Sequence, residues 1–169
     1  MDPLPAGARP VRQSRVTLSQ MMQLDHANLR GDVHGGWIMK LVDEAGALAA
    51  MRHAQSRVVT VAIDQMVFRE PIRIGDLVIL EAEVTYVGRT SIESRVEVIA
   101  EDPLTGKATH TNTAYLVYVA LDEDGRPVAV PRLIAETDGE KRRMQDGLAR
   151  QAHRLKLRAQ EREQKAFQP

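Results

Sequence analysis

The chain has no cysteine, which excludes a disulfide framework, a thiol nucleophile and thiolate metal sites, and agrees with a reducing compartment. It has no charge excess either: Lys plus Arg and Asp plus Glu both number 23, so nothing global points to nucleic acid or an anionic membrane surface as a partner. No apolar run approaches the roughly 20 residues needed to span a bilayer, and the start of the chain lacks the apolar centre of a secretory signal. Metal chemistry lacks its usual spacing, because His26, His53, His110 and His153 form no His-Glu-x-x-His pattern. There is no Gly-x-Ser-x-Gly elbow, no Gly-x-x-x-x-Gly-Lys phosphate loop and no paired-glycine dinucleotide fingerprint, which removes serine hydrolases, nucleotide hydrolases and dehydrogenases. A soluble, cytoplasmic protein is the expectation that survives.

What is present fits one domain. The chain has 169 residues, 43% of them apolar, enough for a single core. Residues 1–14, with Pro3, Pro5 and Pro10, read as a disordered leader. Residues 16–22 fit a first strand, followed by a polar, glycine-containing loop to Gly36. From Trp37 to about His53, apolar Ile38, Leu41, Val42, Ala45, Leu48 and Ala49 recur with the period of a helix packed on a sheet. Strand patterns cover residues 57–63, 76–87, 91–101 and 109–121, separated by turn signals at Gly88-Arg89, at residues 102–106 and at residues 122–125. One long helix followed by an antiparallel meander predicts an α+β domain over residues 15–135, with the helix covering one sheet face. Residues 136–169 are polar and charged, and read as an exposed helix or frayed tail, with Gly139 and Gly147 weakening the helix.

The chemistry gathers around the long helix. Gly35-Gly36 stand at its start, where unpaired amides and a partial positive charge suit a developing oxyanion. Asp43 falls opposite the apolar stripe among Met39, Gly46, Ala47 and Ala50, and reads either as an ordinary surface acid or as a lone carboxylate on a face that meets another surface. Adjacent Lys40 and Glu44 read as solvated. Gly36 and Asp43 are separated by about 10 Å of helix, so one carbonyl cannot reach both. A shared reaction therefore requires the glycine amide of one subunit and the aspartate of an antiparallel neighbour. Small Gly46, Ala47 and Ala50 would let the two helices approach. Asn28 offers a carboxamide for the water or the carbonyl, or forms a turn; Asp32 reads as a loop or N-cap acid; His34 reads as a packed or capping residue rather than a base.

His26-Ala27-Asn28, Gly31-Asp32-Val33-His34-Gly35-Gly36, Lys40 and Asp43-Glu44-Ala45-Gly46 resemble the signature of the hot-dog-fold acyl-CoA thioesterases. The likeness extends through Arg57-Val58-Val59-Thr60-Val61, Gly88-Arg89-Thr90-Ser91 and the segment from Gly125 to Pro131, covering roughly residues 15–150. The resemblance implies a long helix wrapped by an antiparallel sheet, homodimers with sheets joined edge to edge, and a trimer of such dimers. It also implies hydrolysis of acyl-CoA to free fatty acid and CoA, with Asn28 of one subunit acting with Asp43 of the other. Asp43 is then general base or nucleophile, and Gly35 or Gly36, most of all the latter, is the oxyanion donor. CoA phosphates fit Arg57 and the turn Arg89, Thr90 and Ser91. No metal and no cofactor other than the substrate's own CoA are implied. The alternative on the same fold is a non-hydrolytic acyl-CoA-binding protein, which has no need of Asp43; a weaker rival is a dehydratase using His34.

Overall fold

The computed structural model describes residues 7–64 and 66–166. Strands β2 (Val16–Met21), β3 (Arg57–Ile63), β4 (Leu77–Val87), β5 (Ser91–Asp102) and β6 (Lys107–Leu121) form one antiparallel sheet in the order β2-β4-β5-β6-β3. Helix α1 (Gly35–Ala54) lies in its curl. This is the hot-dog arrangement, in a single α+β domain. Alternate residues of three strands point at the helix: Val78, Leu80, Ala82 and Val84 from β4, Val96 and Val98 from β5, Ala114, Leu116 and Tyr118 from β6, all buried. Each large apolar side chain so buried contributes about 1.5–3 kcal/mol. The helix stops at Gln55, which takes the left-handed conformation (φ 53°) and returns its N–H to the carbonyl of Met51.

The buried arc of α1 is wider than the sequence pattern suggests. Gly46 and Ala50 join Ile38, Leu41, Val42, Ala45 and Ala49 against the sheet, while Leu48 is 37% exposed. The expectation that Gly46 and Ala50 ease the approach of a second helix is therefore corrected: both are buried inside one chain, Gly46 beneath the Tyr118 hydroxyl. Ala47, half-buried, stays on the rim.

Of the exposed helix or frayed tail expected after residue 136, the structure shows a helix, and one that packs part of its length on the second sheet face. Helix α2 (Asp138–Ala166) packs on β4. Its guanidinium groups meet buried carboxylates of the outer sheet face: Arg143 pairs with Glu83 (2.6 Å), which Arg15 also reaches (3.1 Å), and Arg150 and Arg154 pair with Glu93 (2.8 Å each). The leader also differs from expectation over its described part. β1 (Ala8–Pro10) pairs in parallel with β7 (Arg132–Ile134), and the 3-10 turn Val11–Ser14 buries Val11 and Ser14. The Ser14 hydroxyl donates to the carbonyl of Val11 (2.7 Å) and accepts from the amide of Val84 (2.9 Å). Backbone pairing plus one apolar anchor orders what three prolines suggested was loose. Residues 1–6 and 167–169 of the expected leader and tail lie outside the described residues.

Candidate active site

The loop before α1 is built by its own backbone. The amide of Asn28 donates to the carbonyl of Asp32 (2.7 Å), that of Gly31 to Asn28 (3.0 Å) and that of His34 to His26 (2.8 Å), while the His26 ring stacks on Trp37 with centroids 4.1 Å apart. The carboxamide Oδ1 of Asn28 accepts from the amide of Arg30 (2.8 Å). Its oxygen makes the turn, and its Nδ2 meets no acceptor among the described residues. A cavity of about 220 Å³ opens there, lined by Asn28, Gly35, Ile38 and Phe68 among others.

His34, not Asp32, caps the helix. Its Nδ1 accepts from the amide of Gly36 (2.9 Å), while the backbone of Asp32 forms an isolated antiparallel β-bridge with that of Arg73. In this conformation the Gly36 amide is engaged by the His34 cap. The amide of Gly35 lines the cavity and meets no acceptor among the described residues, as expected for a first-turn helical amide.

Asp43 sits half-buried on the exposed rim of α1, beside strand β3 at the sheet edge. Two hydroxyls hold it. Thr60 Oγ1 donates to Oδ1 (2.8 Å), and the Tyr118 hydroxyl is shared between Oδ1 (3.2 Å) and the main-chain carbonyl of the same residue (3.0 Å). Oδ2 has no hydrogen-bond partner among the described residues. Burial, then the adjacent Asp43 charge and the hydrogen bond to it, push the Tyr118 phenol far up, so it remains a donor. Exposed Lys40 and Glu44 pair with each other (2.5 Å) away from this carboxylate.

Sequence reading missed Thr60 and Tyr118. Thr60 is the one hydroxyl in a run of β-branched apolar residues, at the point where the β3–β6 register shifts in a bulge. Tyr118 is the one hydroxyl in the inward phase of β6. Period-two counting finds both positions, but only the fold shows that both converge on one carboxylate.

Within one chain the expected constellation is divided. Asn28 and Gly35 lie at the N-terminal end of α1, whose 20 residues span about 30 Å. Arg57 lies past the other end, where β3 pairs it with Leu121. The turn at residues 88–91 reaches the same end: the carbonyl of Thr90 accepts from the amide of Ala120 (3.0 Å) and Ser91 pairs with Val119. Arg57 and Arg89, both exposed, thus flank the end of β6 together with half-buried Thr90 and Ser91. Among the described residues no group of three or more His, Asp or Glu is placed to hold a metal ion, and no helix is long and apolar enough to cross a membrane.

The thioesterase superfamily pattern matches residues 30–107. The uncharacterized acyl-CoA thioester hydrolase YkhA of Bacillus subtilis is 39% identical over 125 residues, which cover 74% of this chain and 72% of that protein. The chain belongs to the thioesterase superfamily. Solved relatives share its fold. An apo-hexameric acyl-CoA thioesterase is 38% identical with a TM-score of 0.86, the match covering 90% of this chain and 98% of that one. The acyl-CoA hydrolase of Staphylococcus aureus, solved in complex with butyryl coenzyme A, coenzyme A and coenzyme A disulfide, is 31% identical with a TM-score of 0.83, over 94% of this chain and 96% of that one. The chain spans 37% of the length of the mammalian cytosolic acyl coenzyme A thioester hydrolases that it also matches.

Proposed function

We propose that this chain hydrolyses acyl-CoA thioesters in the cytoplasm, in active sites each shared by two copies of itself. The observation that carries the reading is the Asp43 carboxylate, fixed through Oδ1 by Thr60 and Tyr118 with Oδ2 left open beside the sheet edge. A binding protein has no use for a carboxylate so held. Edge strand β3 exposes Val59, Val61 and Ile63 at 42–44%, a surface suited to a second copy. Two-fold pairing along β3 sets the α1 helices antiparallel. The amide of Gly35 and Nδ2 of Asn28 from one copy then face the Asp43 of the other. The hexameric relative supports further assembly as a trimer of dimers.

In this site the thioester oxygen accepts from the Gly35 amide and the Asn28 carboxamide. Oδ2 of Asp43 either takes a proton from the attacking water or attacks the carbonyl itself; its open position serves both. On the base route the tetrahedral intermediate collapses, the carbon–sulfur bond breaks, and the proton taken from water passes to the CoA thiolate. On the nucleophile route the carbon–sulfur bond breaks to leave CoA thiolate and an acyl–Asp43 anhydride, which water then cleaves to free acid and the Asp43 carboxylate, a proton from that water ending on sulfur. Arg57 and Arg89 supply cations, and the amides and hydroxyls of Thr90 and Ser91 supply donors, for the CoA phosphates. The chemistry needs no group beyond the substrate's own CoA.

The test is subunit mixing. Asn28→Ala and Asp43→Ala oligomers are each expected to lose turnover in a thiol-release assay across acyl chain lengths. Unfolded together and refolded, they are expected to recover about a quarter of wild-type activity, since random pairing makes half the dimers mixed and each mixed dimer has one intact site. No recovery on mixing sinks the shared site; full activity in Asp43→Ala sinks the hydrolytic role of that carboxylate.

A further inference from the structure

We infer that Tyr118 is the positioning residue that sets the rotamer of the Asp43 carboxylate, and that Gly46 exists to admit its hydroxyl. The inference rests on the proposed role of Asp43. Tyr118 is fully buried in the core of β6, where a phenylalanine would pack equally well, so its hydroxyl requires a reason. That oxygen reaches α1 through a notch: a Cβ on Gly46 would lie 2.5 Å from it, closer than any side chain tolerates. Three residues earlier on the helix, the hydroxyl meets the carbonyl oxygen and Oδ1 of the same residue, at 3.0 and 3.2 Å. A donor shared between the main chain and the side chain of one residue fixes the torsions between them, which a bond to the carboxylate alone does not do.

Thr60 holds the same Oδ1 from the exposed side, at 2.8 Å, but it stands on the exposed strand β3 beside a bulge. Tyr118 holds it from the immobile side. With Oδ1 tied from core and edge, Oδ2 is the oxygen left for the reaction. Misplacing a reacting group by about 1 Å costs on the order of 100-fold in rate, and a supporting shell is what prevents it. Tyr118 itself lies behind the carboxylate, so it acts through Asp43 and touches neither water nor thioester.

The experiment is a double-mutant cycle on the intact oligomer, with Tyr118→Phe, Asp43→Ala and both together, reading kcat and KM by thiol release from acyl-CoA and assembly by size. Tyr118→Phe is expected to lower kcat about 10- to 100-fold while KM changes less than about twofold and the oligomer persists. In the Asp43→Ala background the same change is expected to have no further effect, because the group it orients is gone. Gly46→Ala, which keeps the hydroxyl but displaces it, is expected to reproduce the kcat loss, and it stands as the second variant should Tyr118→Phe fail to assemble. Wild-type kcat in Tyr118→Phe, or an equal fold-loss with and without Asp43, overturns the positioning role and leaves Asp43 in place. Full activity in Asp43→Ala overturns both.

Discussion

Gly147 lies against Glu93 so closely that a Cβ there would stand 2.9 Å from its Oε1, and 2.7 Å from the Cβ of Tyr86. The glycine that weakens α2 as an isolated helix is what lets α2 dock. At the contact, Glu93 is 1% exposed and its two oxygens accept from Thr85 (2.7 Å), Arg150 (2.8 Å) and Arg154 (2.8 Å). Arg154 reaches on to Asp64 (2.7 Å), and Arg150 lies over the ring of Tyr115 at 3.7 Å.

Gly147→Ala should therefore destabilise the protein, although alanine favours helix by up to about 1 kcal/mol. Overpacking against the Tyr86 backbone end costs about 1–3 kcal/mol, and thermal unfolding with amide exchange along α2 reads the difference. Unchanged protection of α2 would show that the helix shifts without cost.

Glu93→Ala is expected to cost more, about 3 kcal/mol, because it leaves two half-buried guanidinium groups facing Thr85 without their carboxylate. Denaturant midpoints of the variant and wild type measure it. A loss below about 1 kcal/mol would mean that Arg150 and Arg154 re-solvate freely.

His53 gives the fold a pH dependence. It is fully buried, and its Nε2 donates to the carbonyl of Pro131 (2.9 Å). Burial lowers its affinity for a proton; the Pro131 bond opposes this and Arg9 adds to it, leaving the net shift downward. A folded value below the unfolded one means that the unfolded chain binds more protons, so stability is complete above about pH 6.5 and falls as pH drops below it. Melting temperature should decline between pH 7.5 and 5.5, and less steeply in His53→Phe. Equal slopes would assign the decline to other groups.

His34→Ala removes the cap on α1, which should cost about 1 kcal/mol, and frees the amide of Gly36. Turnover is expected to persist within a few-fold. Loss of turnover in His34→Ala, with retention in Asp43→Ala, would instead revive a histidine-dependent dehydratase.

Val61→Asp places a charge on the exposed edge strand β3, where Val61 is 42% exposed. Sedimentation should show smaller assemblies, with activity lost in step, since each proposed site draws on two copies. Wild-type assembly and activity would move the pairing surface away from β3.

Much of this protein was legible in one dimension. Hydrophobic period alone places α1 and strands β2 to β6 within a few residues, because a helix or strand with one buried face must repeat its apolar residues at 3.6 or 2. The helix rise alone separates Asp43 from the glycine amides and asks for a second copy. The tertiary structure decided what depends on contacts distant in sequence. It rotated the buried arc of α1 toward Gly46 and Ala50, assigned the Gly36 amide to His34, and brought Thr60 and Tyr118, 17 and 75 residues away, onto Asp43. It also docked α2, whose charged residues show no apolar stripe, since Glu93 and its arginines find each other only across the sheet face. Local periodicity reports burial; which polar group meets which is settled by the curl of the sheet.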